Sequence, residues 1–385
     1  MTGLFAFDDD ACRALAETHG TPCFAYSHGV AAARFLALRR ALPTRVRLAY
    51  AVKANPHPEL LACFAGLGAS FDCASTGELA RVAALGPLPG RVFFAGPGKR
   101  EAELRQALAA GVRIQAEGFE DLARIDALVD RETAVNLRVH PAFDIDEGSR
   151  IIGGSGPSAF GVDEEAVPAL LERARSLRHV RIRGLHVFAA SNQRDAAKLL
   201  AIHGAVLALA EGLHEAHGLD FRQIDLGGGL GVPYAEAEAP LDVAALGRGL
   251  ADLLARHPWF TGELILEPGR YLAGPIGVYL ARVVRLKESR GTRFAILEGG
   301  INHLLRPLLT GQPFPVRAVG RGEGDLPTTL AGPLCTSLDR LGEVPLPALA
   351  AGDLLAFGSV GAYGLSEGMT HFLSHPVPPE VWVAR

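Results

Sequence analysis

Lys53 is the lone cation at the end of the apolar run Leu48-Ala-Tyr-Ala-Val-Lys53. A glycine cluster, Asp225-Leu-Gly-Gly-Gly-Leu-Gly231, follows a second apolar run, and a carboxylate and a guanidinium close a third in Glu267-Pro-Gly-Arg270. A lysine amine can capture an aldehyde. Bare backbone amides beside an arginine can cradle a phosphate, and a buried acid can keep a pyridine nitrogen protonated. Gathered in one site, these groups would suit pyridoxal 5′-phosphate, with the lysine as its Schiff-base partner and the protonated ring as an electron sink. On its local pattern alone Lys53 reads more readily as a strand-terminal lysine reaching for water. Its company along the chain favours the chemistry.

That chemistry requires elements that bring the three runs together. Apolar periodicity predicts eight strands, at Arg47–Val52, Ser70–Cys73, Arg91–Ala95, Val112–Ala116, Ala134–Val139, Ile182–Phe188, Phe221–Leu226 and Glu263–Glu267. Helical patterns separate them, among them Thr76–Leu85, Lys99–Ala109, Phe119–Val129 and Asp195–His217, with another at Val30–Leu42 and one opening near Glu59. Eight βα units in roughly 250 residues describe a (β/α)₈ barrel, whose chemistry gathers at the carboxyl ends of its strands. Lys53, Asp72, Arg138, His186, Phe188 and Glu267 all fall at or near such ends. The glycine cluster after strand seven and Arg270 after strand eight occupy the usual phosphate position of a barrel. An open doubly wound sheet would need a glycine fingerprint at its first turn, and none is visible.

Beyond Glu267 short strands are expected at Ile276–Leu286, Arg293–Leu297, Pro315–Val319, Leu354–Phe357 and Val381–Val383, separated by Gly and Pro. The chain therefore divides into an N-terminal segment, 1–27, that joins a β domain, a barrel over 28–267, and the C-terminal β domain over 268–385. The irregular connection from His140 to Val162, with its Gly-Gly-Ser-Gly-Pro run, is long enough to be functional or mobile.

With 385 residues, about half apolar (49%), and a net charge of −4 with signs interspersed, the chain has no basic stripe for nucleic acid or an anionic membrane. No uninterrupted apolar stretch looks long enough to span a bilayer, and the acidic start does not look like a signal peptide. The five cysteines, an odd set without metal spacing, argue for a reducing cytoplasm and against structural zinc.

Taken together these segments resemble the alanine-racemase-like barrel decarboxylases, the family of diaminopimelate and ornithine decarboxylases, through nearly the whole chain. The resemblance implies that Lys53 carries pyridoxal phosphate, that Asp72 and Glu78 lie near it in an Asp-Cys-Ala-Ser segment, and that Arg138 is the strand-five arginine. Ser191, Gly228, Gly229, Gly269 and Arg270 look like the phosphate-binding set, and Glu267 like the pyridinium partner. Gly332-Pro-Leu-Cys-Thr-Ser-Leu-Asp339 is similar to the catalytic-cysteine motif, and Gly361-Ala-Tyr-Gly364 to the motif whose tyrosine, here Tyr363, touches the phosphate. It further implies a head-to-tail homodimer in which Cys335 protonates Cα in the partner's site. By itself Cys335 would read as a buried structural cysteine. Family racemases carry an arginine at the pyridine nitrogen, so a glutamate there favours decarboxylation.

Departures from the family pattern bear on the substrate. The residue after the catalytic cysteine is normally an acid that grips a distal amine, and here it is Thr336. Arg306-Pro-Leu-Leu-Thr310 keeps the arginine of the diaminopimelate enzymes' Arg-Pro-x-x-Tyr and loses its tyrosine; Arg306 could hold a carboxylate or be a rim charge paired with a neighbour. Phe188 replaces the histidine that stacks on the ring, and Ala159 replaces the lysine of Ser-Lys-Phe-Gly. His186 matches a family histidine or is a satisfied core residue. Asp339 is expected with Arg306 and Thr336 on the substrate. The tail, His371-Phe-Leu-Ser-His-Pro-Val-Pro-Pro-Glu380, looks like that of relatives acting on citrate-linked diamino acids in siderophore assembly or on carrier-linked aminoacyl groups, and its histidines show no metal spacing. The expectation is a decarboxylase of an amino acid without a free distal amine. The alternatives are diaminopimelate decarboxylase itself and, from another class, a non-catalytic pyridoxal-phosphate carrier or regulator.

Overall fold

The computed structural model describes residues 3–143 and 156–384. Most of the Gly-Gly-Ser-Gly-Pro run within 140–162 lies outside the described residues. In chain order the strands are β1 (Cys23–Ser27), β2 (Val46–Ala51), β3 (Ser70–Cys73), β4 (Val92–Phe94), β5 (Arg113–Ala116), β6 (Thr133–His140), β7 (Val162–Asp163), β8 (Val180–His186), β9 (Gln223–Asp225) and β10 (Glu263–Leu266). The series continues with β11 (Gly277–Ser289), β12 (Thr292–Leu297), β13 (Val316–Ala318), β14 (Leu326–Ala331), β15 (Arg340–Leu346), β16 (Leu354–Phe357) and β17 (Glu380–Val383). Two compact units result. One comprises Phe35–Gly231 and Leu241–Gly269, and the other Met1–Arg34, Val232–Pro240 and Arg270–Arg385.

The first unit is a closed parallel barrel in the order β2-β3-β4-β5-β6-β8-β9-β10, with β10 pairing back to β2 and β7 attached only to β6. Short strands, buried along most of their length, and capped helices explain it. The helix Thr76–Ala83 starts at Ser75, whose hydroxyl accepts from Glu78 N, and Val243–Arg256 starts at Asp242, which accepts from Ala245 N. Helix Ala196–His217 starts at Asp195 and stops at Gly218, which adopts φ 66° and donates its N–H to His214 O.

One sequence expectation needs correction here. At 22 residues, Ala196–His217 is long and apolar enough, by length and composition, to cross a membrane. It instead buries Leu199, Ile202, Val206, Leu207, Ala210 and Leu213 in the barrel unit and lies against Val243–Arg256. Gly249 of that helix meets Leu200 so closely that a Cβ would come within 2.2 Å of the leucine side chain.

Register sorts the barrel interior. Residues paired across parallel strands share a face, and Ala49, Phe93 and Ile265 cluster there. Asp72 pairs with Ala51 and Phe93, and Asp225 with His186 and Ile265, so both carboxyls point inward with that cluster. The polar groups face the lumen by strand geometry.

The second unit is a mixed sheet in which β11 joins two halves, β13-β16 on one side and β12-β14-β15 on the other. β1 pairs antiparallel with β11 and parallel with β17, so both ends of the chain enter this sheet. Its core includes Phe7, Cys12, Cys23, Val278, Leu280 and Leu354. β14 and β15 were not foreseen: Pro327 in one, and Gly342 and Pro345 in the other, mask their periodicity.

Candidate active site

Strand β2 stops at Ala51, one residue before the expected end, and Val52–Ala54 form a single 3-10 turn. Lys53 thus stands on a turn at the strand's carboxyl end. Its ammonium lies 3.6 Å from Asp72 Oδ2 and 5.7 Å from the centre of the Phe188 ring, with 40% of the side chain exposed. Tyr50 braces the turn by donating to Asn55 O at 2.9 Å. Gly269 packs against it, since a Cβ there would approach Ala54 Cβ to 3.0 Å and Ala51 Cβ to 3.1 Å.

Around the lysine lies a buried acid cluster. Asp72, His186, Asp225 and Glu267 are all at most 3% exposed, and His186 Nε2 stands 3.6 Å from Glu267 Oε2. Burial pushes the Asp72 carboxyl up, the Glu267 charge adds to this, and Lys53 pulls back, leaving it at about 7. Burial alone would raise Glu267 as well, but His186, Lys53 and Asp225 outweigh it and hold this carboxyl below the usual range. Burial lowers His186, against the pull of Glu267, which raises it. Glu267 Oε1, Asp72 Oδ1 and both His186 nitrogens are buried with no hydrogen-bond partner among the described residues. Such orphans are costly unless something else satisfies them, and an acceptor at Glu267 Oε1 fits a ligand carrying a ring N–H.

Strand β8 ends at His186, so Phe188 lies on the segment after it, with Ser191, rather than on the strand. This segment rests on the glycine run. A Cβ at Gly227 would meet Val187 O at 2.8 Å, at Gly228 Glu267 O at 2.7 Å, and at Gly229 Ala190 O at 2.6 Å. Gln193 N donates to Gly229 O and Gly231 N to Gln193 O, at 2.8 and 2.9 Å. Only glycine permits so close an approach of two backbones, and Gly229 also has φ +95°. Gly229→Ala should therefore destabilise the barrel by about 1–3 kcal/mol and weaken phosphate retention; urea unfolding followed by cofactor titration would check both.

Arg138, expected near the cofactor, is paired within the barrel while its charge also acts on Asp72 and His186. It pairs with Glu117 at 3.0 Å and lies over the Phe160 ring, 4.6 Å from its centre. Glu117 also accepts from Gly96 N and Gly161 N, so it ties together the segments after three strands. Glu117 was missed, although it follows β5 in the same strand-end position as the residues that were singled out.

In the second unit, Arg270 donates to Tyr234 OH at 2.7 Å and lies 4.6 Å over the Tyr363 ring. Arg306 stacks on the other partner of this pair, 3.9 Å over Tyr234, and donates to Gln312 Oε1 at 2.8 Å. It is 4% exposed and its Nε has no acceptor among the described residues. Arg306 is therefore not a rim charge. Tyr234, which both arginines use, had no distinguishing signal in the sequence. Cys335 is exposed, unlike a structural core cysteine, and Thr336 beside it is half-buried. Asp339, expected on the substrate, is instead buried and accepts from Ile301 N and Leu334 N, both at 2.8 Å. Both of its oxygens are engaged in shaping the 332–339 loop.

A parallel barrel with a lysine, a buried acid cluster and a glycine run at its strand ends, joined in sequence to a β unit, defines a pyridoxal-phosphate barrel enzyme. Residues 29–274 match the family described as pyridoxal-dependent decarboxylase, pyridoxal binding domain. The chain belongs to this family of pyridoxal-phosphate-dependent amino-acid decarboxylases, and its cofactor is pyridoxal 5′-phosphate. It is 34% identical to an L-glutamyl-(BtrI acyl-carrier protein) decarboxylase of Niallia circulans, over 97% of this chain and 91% of that protein. Identity is 36% to a diaminopimelate decarboxylase of Pseudomonas aeruginosa, over 94% of this chain and 87% of that one. Among solved structures, diaminopimelate decarboxylase of Helicobacter pylori in complex with L-lysine superposes with a TM-score of 0.88 at 29% identity, covering 96% of this chain and 93% of that one. The lysine/ornithine decarboxylase of Vibrio vulnificus with putrescine gives 0.84 at 28% identity, covering 97% of this chain and 98% of that one.

Proposed function

We propose that this decarboxylase removes the α-carboxylate of an amino acid whose distal end carries no free amine, of the kind presented on a carrier protein or joined to citrate in siderophore assembly. The observation that carries this reading is Thr336. A neutral hydroxyl follows Cys335 where a distal ammonium would need an anion, and a charge left unpaired on binding is strongly penalised. The 34% identity to a decarboxylase named for a carrier-linked glutamyl group supports it. Diaminopimelate is the second reading, favoured by the buried Arg306, whose guanidinium suits a distal carboxylate.

Bound pyridoxal phosphate supplies an aldehyde for the substrate amine and a ring that takes up the electron pair as carbon dioxide departs. In this proposal Lys53 holds the cofactor at rest and yields it to the substrate amine. Glu267 would keep a proton at the pyridine nitrogen, Phe188 would cover one face of the ring with apolar surface, and Ser191, Gly228 and Gly229 would bind the phosphate. Cys335 returns a proton to Cα, acting across a head-to-tail homodimer.

Carbon dioxide release from carrier-linked glutamyl, citrate-linked diamino acid and free meso-diaminopimelate substrates tests the assignment. Turnover of meso-diaminopimelate at least equal to the linked substrates would overturn it. As a companion result, Thr336→Asp should raise kcat/KM for substrates bearing a free distal amine by about tenfold, the equivalent of one modest charge pair.

A further inference from the structure

We propose that Glu117 is a positioning residue: it clamps Arg138 near the end of β6, keeps that guanidinium from crossing to Asp72, and so leaves the Asp72 carboxylate to Lys53. The inference concerns the barrel alone and holds whichever amino acid is the substrate.

Register sets the two residues side by side. Gln115 pairs with Asn136 and Ala116 with Leu137, so the residue that follows β5, Glu117, comes level with Arg138. Arg138 pairs with His186, which pairs with Asp225, and all three share the inner face. The guanidinium is therefore a lumen group. Among the described residues Glu117 alone forms an ion pair with it, at 3.0 Å and with its own side chain 5% exposed. Phe160 adds its ring, 4.6 Å from the guanidinium carbon.

The clamping carboxylate is itself held. Oε1 of Glu117 accepts from Gly96 N at 2.8 Å, and Oε2 from Gly161 N at 3.0 Å. The Glu117 N–H donates to Asp121 Oδ2 at 3.0 Å, and that oxygen lies 3.0 Å from Lys99 Nζ, which donates to Gly96 O at 2.6 Å. These contacts close a ring from Glu117 through Gly96, Lys99 and Asp121 back to Glu117, and the ring gives the buried Lys99 and Asp121 a task. Hydrogen bonds of this kind lock the direction of a charged group. The Ser158-Ala-Phe-Gly161 segment gains a task too: Phe160 and Gly161 touch Arg138 and Glu117, whereas Ala159 is exposed. Gly161 has φ +73°, and a Cβ there would meet His140 N at 3.0 Å and Arg138 O at 3.1 Å, so glycine is what lets its N–H reach Glu117.

What the clamp prevents follows from the charges in the lumen. Asp72 is buried 3.6 Å from Lys53, and its Oδ1 has no hydrogen-bond partner among the described residues. The charge of Arg138 already reaches that carboxyl and favours its ionised form. A guanidinium is always charged and matches a carboxylate with two parallel donors, and a buried one left without an anion is strongly penalised. Released from Glu117, Arg138 would compete with Lys53 for Asp72 and set a second cation beside the lysine that captures the cofactor. With Glu117 in place each cation has its own carboxylate.

A double-mutant cycle read by the affinity of the cofactor-free protein for pyridoxal phosphate, followed by absorbance, tests this. Glu117→Gln keeps the shape and removes the charge, and should weaken that affinity by about tenfold. In an Arg138→Met background the same change should weaken it by less than about threefold, because no guanidinium is left to release. Equal losses in the two backgrounds would make Glu117 a prop for the Gly96 and Gly161 segments and overturn the proposal. So would an unchanged affinity in Glu117→Gln alone. Should that variant fail to fold, Phe160→Leu replaces it: the ring is half-buried and outside the ion pair, so the barrel should stand. Phe160→Leu should weaken the affinity by about threefold alone and have no further effect in the Arg138→Met background; an affinity equal to wild type, or an equal loss in both backgrounds, would sink the idea.

Discussion

Lys53→Ala yields a folded protein that purifies without the visible absorbance of covalently held pyridoxal phosphate and decarboxylates on the order of a thousandfold or more slowly. The fold should survive because Lys53 lies on a turn after β2, with its side chain 40% exposed. What it leaves behind is Asp72, buried and already drawn up to about 7 by burial and by Glu267. Without the ammonium that carboxyl is pushed further toward its protonated form, and Glu267 keeps His186 and Asp225 among the groups that hold it down, so stability should fall by no more than about 1–2 kcal/mol. Absorbance spectra, urea unfolding and carbon dioxide release on one preparation separate these effects. A Lys53→Ala protein that still carries a covalently attached chromophore would remove the lysine from its role.

The residues that made Lys53 noticeable also explain how far a sequence could be read. Eight apolar runs with helical patterns between them fix a barrel almost by themselves, because a parallel strand is buried on both faces and must be apolar along its length. Strand ends were less legible. Val52 and Phe188 were read as strand residues and lie beyond the last residue of their strands, since pairing stops where the chain turns, whereas apolar character runs on. In the β unit the signal is weaker still. β1, Cys23–Ser27, is wholly buried but five residues long, and β14 and β15 are broken by proline and glycine.

Within the site, residues whose chemistry is written in their own type were found: the lysine, the glutamate and the glycines. Pairings between distant segments were not. Glu117 with Arg138, Tyr234 with Arg270 and Arg306, and Asp225 with Glu267 each join residues more than twenty positions apart, through contacts that exist only after folding. The same reason accounts for Asp339. A carboxylate in a catalytic-looking motif is equally suited to holding its own loop, and two backbone amides claim it.

Glu267→Gln provides the sharpest measurement of what the acid cluster contributes. Glutamine keeps the shape and one acceptor but removes the charge, so the ring nitrogen would lose the anion that favours its protonated state. The expected cost is about 10²–10³-fold in kcat, the size seen when one preorganised electrostatic partner is lost, with a much smaller change in KM because the substrate amine is captured at the other end of the cofactor. The direction of the pH response follows from the same cluster. Glu267 is held below the ordinary carboxylate range by His186, Lys53 and Asp225 against the effect of burial, so in the wild type it stays ionised through mildly acidic pH, and acid should not cost activity through this group. In Glu267→Gln the nearest like charge to Asp225 and Asp72 disappears, which lowers the cost of ionising both. The variant should thus show a new loss of protons from the pair at lower pH than in wild type, visible as a shifted pH dependence of the bound chromophore. A kcat equal to wild type would mean that the ring nitrogen is protonated by something other than this carboxylate, and a fall in kcat with an unshifted chromophore would mean that Glu267 acts by shape alone.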